Sequence, residues 1–191
     1  MNDSALLKEE HYWTYADYKD WELAAGERYE IMRGEAYLMA APGTYHQSIS
    51  GELFRQIANY LVGKPCKVYP APFDVRLFYE KDESDDTVVQ PDITIICDEK
   101  KRGEEGCRGA PDFVAEILSP SNKSIETERK FELYREAGVR EYWILDPQHK
   151  TLHVYLFRDG VIFPRFYRAG DTVPLDIFPD LTIHLESVFA E

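Results

Sequence analysis

Asp92, Glu116 and Lys130 are the residues of this 191-residue chain whose types and settings can do chemistry on a phosphodiester. Glu116 sits in the middle of the apolar run Asp112-Phe113-Val114-Ala115-Glu116-Ile117-Leu118. As a strand, that run turns Phe113, Ala115 and Ile117 to one face and Val114, Glu116 and Leu118 to the other. A carboxylate inside a strand buried on both faces is costly unless a cation or hydrogen bonds compensate it. Asp92, just after Pro91 at the start of a second apolar run, is a natural companion if the two strands are neighbours. Two carboxylates, a main-chain carbonyl and water suit Mg²⁺, a hard cation that keeps part of its hydration shell. The same residues also read as a structural ion pair within a core. Lys130 falls on a helical stripe with Leu133, Tyr134 and Ala137, the face that must pack on a sheet. An inward lysine needs a reason there, although a long stem can snorkel outward or pair with Glu126 one turn earlier, which contributes about 0.2–0.5 kcal/mol on a helix surface.

The elements that must position these residues follow from caps, stops and periodicity. Thr14 with Asp17 predicts a capped helix running to about Ala24, ended by Gly26. Arg28–Arg33 and Glu35–Ala41 read as a hairpin about Gly34. Thr44 is the expected cap of a longer helix to about Val62, stopped by Gly63-Lys64-Pro65, with Ile49, Leu53 and Ile57 inward. His46 shares that inward stripe and is either a structural group or a functional one. Val68–Leu77 is predicted as a strand made irregular by Pro70 and Pro72, with Asp74 and Arg76 opposite Phe73, Val75 and Leu77. Val88–Cys97 reads as one apolar strand, and the glycine-rich residues 98–109 as a mobile loop. After the central strand 112–118, a helix from about Ser124 to Ala137 stops at Gly138. Strand Val139–Asp146 and two strands turning at Arg158-Asp159-Gly160 follow. The segment from Leu175 to Phe189 is expected to add short edge strands or a final turn. No repeat or linker divides the chain, so residues 1–191 are expected to form one α/β domain with a mixed sheet.

Composition narrows the options. At 44% apolar and 14% aromatic residues the chain can build a substantial core. No apolar run approaches the roughly 20 residues that span a membrane, and the first residues carry no signal-peptide pattern. Cys66, Cys97 and Cys107 form no C-x-x-C pair; their odd number predicts reduced thiols and a cytoplasmic protein. A net charge of −13 opposes wrapping around nucleic acid. The charge is uneven, however, with five acids in segment 80–86 and a local balance of +2 over residues 117–168.

The run Pro91-Asp92, then Pro111-Asp112-Phe113-Val114-Ala115-Glu116-Ile117-Leu118-Ser119-Pro120-Ser121, then Lys130, Tyr134 and Gly138-Val139-Arg140-Glu141-Tyr142-Trp143-Ile144-Leu145-Asp146-Pro147 resembles the Uma-two family. These are restriction-endonuclease-like proteins of the PD-(D/E)xK superfamily, and the similarity extends from Arg28-Tyr29-Glu30 to the final strands. The resemblance implies a restriction-endonuclease-like α/β core, a mixed central sheet flanked by helices, additional antiparallel strands, and Mg²⁺-dependent hydrolysis of DNA, with Mn²⁺ as a substitute. It assigns Asp92 and Glu116 to the two acids. The superfamily's lysine position, two residues after the second acid, holds Leu118, so Lys130 on the next helix is the implied match. Glu126 stands where the family usually has Asp. Glu30, His46 and Asp74 match further polar positions, implied to complete a second metal site or steer water.

Three readings stay open. One is a DNA endonuclease, expected by analogy to be a homodimer with Phe163, Phe166 and Tyr167 as either interface or core. Another is a degenerate member of the fold that binds or assembles. The third is a nuclease for RNA or small nucleotides.

Overall fold

The computed structural model describes residues 11–119 and 124–190. The first helix, α1 (Tyr15–Tyr18), starts as predicted: the Asp17 carboxylate accepts a 2.9 Å hydrogen bond from the Thr14 amide. It stops well short of Ala24, because Trp21 turns into an aromatic cluster with Trp13, Tyr18 and Tyr29. The hairpin of β1 (Tyr29–Met32) and β2 (Glu35–Leu38) turns through Arg33 and Gly34, both at positive φ. Glycine is required at 34, where a Cβ would stand 2.4 Å from the Tyr12 ring. Helix α2 (Thr44–Leu61) is capped by Gly43 rather than Thr44 and buries Ile49, Leu53, Ile57 and Leu61.

Two of the predicted strands each prove to be two. Val68–Leu77 divides into β3 (Lys67–Pro70) and β4 (Val75–Arg76), and Val88–Cys97 into β5 (Val88–Val89) and β6 (Ile93–Ile96). Prolines mark both breaks: the Ala71–Pro72 peptide bond is cis, and Pro91 has no N–H for a ladder. The chain changes sheets at each break. Residues 98–109 are not a loop: a 3-10 turn at Glu99–Lys101 leads into the hairpin β7 (Arg102–Gly103) and β8 (Gly106–Arg108). Gly106 makes that seat possible, since a Cβ there would lie 2.2 Å from the Asp74 carbonyl oxygen.

The central strand is β9 (Phe113–Ile117), followed by α3 (Ser124–Ala137), β10 (Glu141–Asp146), β11 (Thr151–Arg158) and β12 (Val161–Arg168). A hairpin of β13 (Thr172–Leu175) and β14 (Phe178–His184) and a last turn of helix, α4 (Leu185–Val188), complete the described chain. One six-stranded sheet runs β2-β1-β5-β4-β8-β7 and the other β12-β11-β10-β9-β6-β3. Both are mixed, with β9 parallel to β10 and β4 parallel to β8. The predicted single mixed sheet is thus two, flanked by helices.

Strand β9 separates the two cores as its alternation predicts. Phe113, Ala115 and Ile117 join α2 and the β13–β14 hairpin in one core; Val114 joins Leu133 and Tyr134 of α3 and Val75 and Val89 of the first sheet in the other. Phe163 and Phe166 lie exposed on the edge strand β12, whereas Tyr167 packs against the first core. No helix among the described residues is long and apolar enough to cross a membrane.

The expectation of reduced thiols is overturned for two cysteines. The antiparallel β3–β6 pair sets Lys67 opposite Ile96, which brings Cys66 and Cys97 face to face at its end, where they form a disulfide. A separation of 31 residues hides that proximity in the sequence. Cys107 is free and buried.

Leu53→Ala should cost about 2–5 kcal/mol in urea denaturation, because Leu53 is fully buried between α2 and the second sheet. Val62→Ala, at a position 79% exposed, should stay within about 0.5 kcal/mol of the parent.

Candidate active site

Lys130 projects from α3 into the space between the two sheets and is only 6% exposed. Its Nζ donates to Glu30 Oε1 at 2.9 Å and to Glu116 Oε1 at 3.1 Å. Glu126, one turn away, is not its partner. The inward stripe read from the helix therefore holds, and the partner lies 100 residues distant on β1. Glu30 is fixed in turn by the Gln90 amide, which donates to Oε1 at 2.7 Å. Tyr134, on the same stripe as Lys130, donates its hydroxyl to Glu116 Oε1 at 2.5 Å.

Asp92 reaches this group through the strand register. Ile93 stands opposite Ala115 in the antiparallel β6–β9 pair, and one further step sets Asp92 beside Glu116. The Ile117 amide donates to Asp92 Oδ2 at 2.7 Å. His46 Nε2 lies 3.1 Å from the Ile117 carbonyl oxygen and 3.3 Å from Asp92 Oδ2. Its Nδ1 is buried with no hydrogen-bond partner among the described residues.

Glu30, His46, Asp92, Glu116 and Lys130 all line one cleft of about 500 Å³, together with Arg28, Ser119, Glu126 and Arg129. Asp74 does not line it. Its Oδ1 accepts from the Gln90 side chain at 2.8 Å and from Tyr18 at 3.1 Å, a position behind Gln90 and Glu30. Sequence reasoning left out Gln90 and the role of Tyr134. A polar residue between Val89 and Pro91, and a phenol four residues from an inward lysine, are the signals that point to them.

Burial pushes the Glu116 carboxyl up to about 7; Lys130 pulls it down, and Glu30 and Asp92 push it up again. Burial alone would lower Lys130, but Glu116 and Glu30 outweigh it and hold the ammonium above its ordinary range. Burial likewise lowers His46, and the hydrogen bond and charge of Asp92, with the Ile117 carbonyl and the Glu116 charge, more than reverse that. At the centre of the cleft, Glu30, Glu116 and Asp92 thus gather around the single ammonium of Lys130.

Could these residues hold a divalent metal? Among the described residues, no three His, Cys, Asp or Glu side chains already form an ion cage. Mg²⁺, however, commonly takes only one or two carboxylates and keeps water for its remaining positions. Asp92 Oδ1 and Glu116 Oε2 make no hydrogen bond to any described residue, so each acid keeps one oxygen for an outside ligand. Hard oxygen donors with surplus negative charge fit Mg²⁺ or Mn²⁺.

Removing the ammonium should expose its structural role. Lys130→Met leaves Glu30 and Glu116 buried without their cation and should cost about 3–5 kcal/mol in urea denaturation in the presence of a chelator. Glu116, raised from an ordinary value of 4.5 to about 7, binds its proton more tightly folded than unfolded. Its contribution to metal-free stability is therefore present at low pH and lost as pH rises through about 7. In Glu116→Gln that slope should flatten, as read from denaturation midpoints across the range.

Comparison with known proteins bears on the family and the fold. The model of the Uma2 family, described as "putative restriction endonuclease", matches residues 15–186. An uncharacterized protein of Synechocystis sp. is 26% identical over 161 residues, covering 83% of this chain and 82% of its own length. A second uncharacterized Synechocystis protein is 26% identical over 136 residues, covering 70% and 74%. A crystal structure from Anabaena variabilis, described as "a putative nuclease belonging to DUF820", superposes with a TM-score of 0.72 at 19% identity, covering 93% of this chain and 97% of that one. The fold is thus the restriction-endonuclease-like α/β fold, and the family's description points to a nuclease-type function. With nearly all of its described length matched by the family model, the chain belongs to the Uma2 family.

Proposed function

We propose that the protein is a Mg²⁺-dependent endonuclease that hydrolyses phosphodiester bonds of DNA in the cleft of Asp92, Glu116 and Lys130. The observation that carries this reading is the meeting of Lys130 with Glu116, 3.1 Å apart in a cleft shared with Asp92. The superfamily's lysine position is occupied by Leu118, yet an ammonium reaches the second acid from the following helix.

Asp92 and Glu116 would hold the metal through the oxygens that no described residue uses. Bound there, Mg²⁺ supplies Lewis-acid polarisation of the phosphate and acidification of a water ligand. Lys130 stays an ammonium, since two carboxylates raise it, so it serves as a donor and a positive charge rather than a base. Its part is to orient water and offset the negative charge that grows on the phosphate in the transition state. Glu30, anchored by the Gln90 amide, holds Lys130 in place. Tyr134 fixes Glu116 Oε1 and so leaves Oε2 for the metal. His46, against Asp92 and the Ile117 carbonyl, orients the other acid.

A second reading, a degenerate member of the family that binds or assembles, is favoured by the net charge of −13 and by the closed ion pairs of Lys130. Nicking of supercoiled plasmid separates the two. The endonuclease reading predicts nicking with Mg²⁺ or Mn²⁺, none with chelator, and losses of about 10²–10³-fold in Lys130→Ala. Asp92→Ala and Glu116→Ala should be inactive; unchanged nicking in all three variants would refute the assignment. Because protonation of Glu116 competes with metal, Mn²⁺ affinity by calorimetry should rise as pH increases through about 7.

A further inference from the structure

A second cavity, of about 400 Å³, opens beside the first and shares Arg28, Pro42 and Asp92 with it. Its walls differ in chemistry from the catalytic cleft. They are Phe54, Pro70, the cis Pro72, and Gln47 and Ser50 of α2. Planar apolar surfaces with a few amide and hydroxyl groups suit a nucleobase and its sugar, and the volume suits a single nucleoside.

Arg28 stands where the two cavities join, and its guanidinium makes no ion pair or hydrogen bond with any described residue. Among the described residues, that sets it apart from the other cations that line the two cavities. Arg33, Arg55, Arg76, Arg135 and Arg140 are each committed to a carboxylate. Within the cleft itself, Lys130 is held by Glu30 and Glu116, and Arg129 by Glu35. Arg28 is thus the cleft-lining cation, among the described residues, whose charge is open to an anion. A free guanidinium lining the same two cavities as Asp92 is matched in charge and in fork geometry to a phosphate.

We infer that this second cavity is the subsite for the nucleoside next to the scissile phosphate of a polynucleotide strand, with Arg28 gripping the bridging phosphate. The inference rests on the phosphodiester reading of the first cleft and adds to it a seat for the neighbouring nucleoside. It also accounts for how a chain of charge −13 engages a polyanion: contact is confined to one groove rather than spread across a basic face.

Gly51 gives the means to test it. It lies on α2 at the rim of the cavity, and a Cβ built there meets nothing within 4 Å. Gly51→Leu therefore fills the groove with no backbone penalty and with a better helix former. Fluorescence anisotropy of a short labelled single-stranded DNA, in chelator so that no cleavage occurs, reads binding alone. Arg28→Ala should weaken binding roughly 10- to 100-fold and reduce the log–log salt slope by about 0.7, the share of one phosphate contact. Gly51→Leu should weaken it on the order of tenfold with the salt slope unchanged, while Gly51→Ala binds like the parent. Equal binding by the parent, Arg28→Ala and Gly51→Leu overturns the subsite. So does a loss confined to Arg28→Ala, and so does an absence of binding by the parent. If the parent nonetheless nicks plasmid with metal, the endonuclease reading stands and only the subsite falls.

Discussion

The buried ammonium of Lys130 between Glu30 and Glu116 is the interaction on which the rest depends. Taking a lysine out of water is expensive, and one carboxylate rarely compensates. Two carboxylates from different sheets do so here, and a phenol from the same helix completes the group. The cluster joins β1, β9 and α3, elements far apart in the chain. It also fixes how α3 lies on the sheet, because Leu133 and Tyr134 can fill the core beside Val114 only if Lys130 enters with them. The price in stability is a Glu116 whose carboxyl holds its proton to about 7. A group that disfavours its own charge when empty is one that gains when a cation arrives, which is the behaviour a metal site requires.

The position of the cleft follows from the two places where the backbone changes sheets. Between β3 and β4 and again between β5 and β6, proline interrupts the ladder and frees groups that a regular strand would have used. The second crossing, Gln90-Pro91-Asp92, supplies the amide that anchors Glu30 and the carboxylate that faces Glu116. The first crossing ends at Asp74, which ties the Gln90 side chain and Tyr18 together. The break at Gln90-Pro91-Asp92 thus completes a site whose other walls come from β1, β2, β9, α2 and α3.

Much of this was legible in the sequence, for reasons that differ residue by residue. Alternation in 112–118 placed Glu116 opposite Phe113 and Ala115 correctly, since a strand buried on both faces has only two sides to offer. Helical spacing placed Lys130 inward. It did not identify Glu30 as its partner, because a contact across 100 residues leaves no local trace, and Glu126 looked equally suitable. Val88–Cys97 read as one strand because its apolar residues are continuous; the change of sheet depends on tertiary pairing that periodicity does not record. The glycine-rich segment 98–109 looked like a loop, yet Gly106 is there so that the hairpin can close onto the Asp74 carbonyl. The Cys66–Cys97 pair was hidden for the same reason as the Glu30–Lys130 pair.

Anomalous diffraction from crystals soaked in Mn²⁺ is the most direct test of the proposed metal site. The arrangement predicts a Mn²⁺ peak bonded to the carboxylates of Asp92 and Glu116, with the Lys130 ammonium still held by Glu30, and no such peak in crystals of Asp92→Ala. A cleft that stays free of Mn²⁺ while Lys130 remains paired with both Glu30 and Glu116 would contradict it.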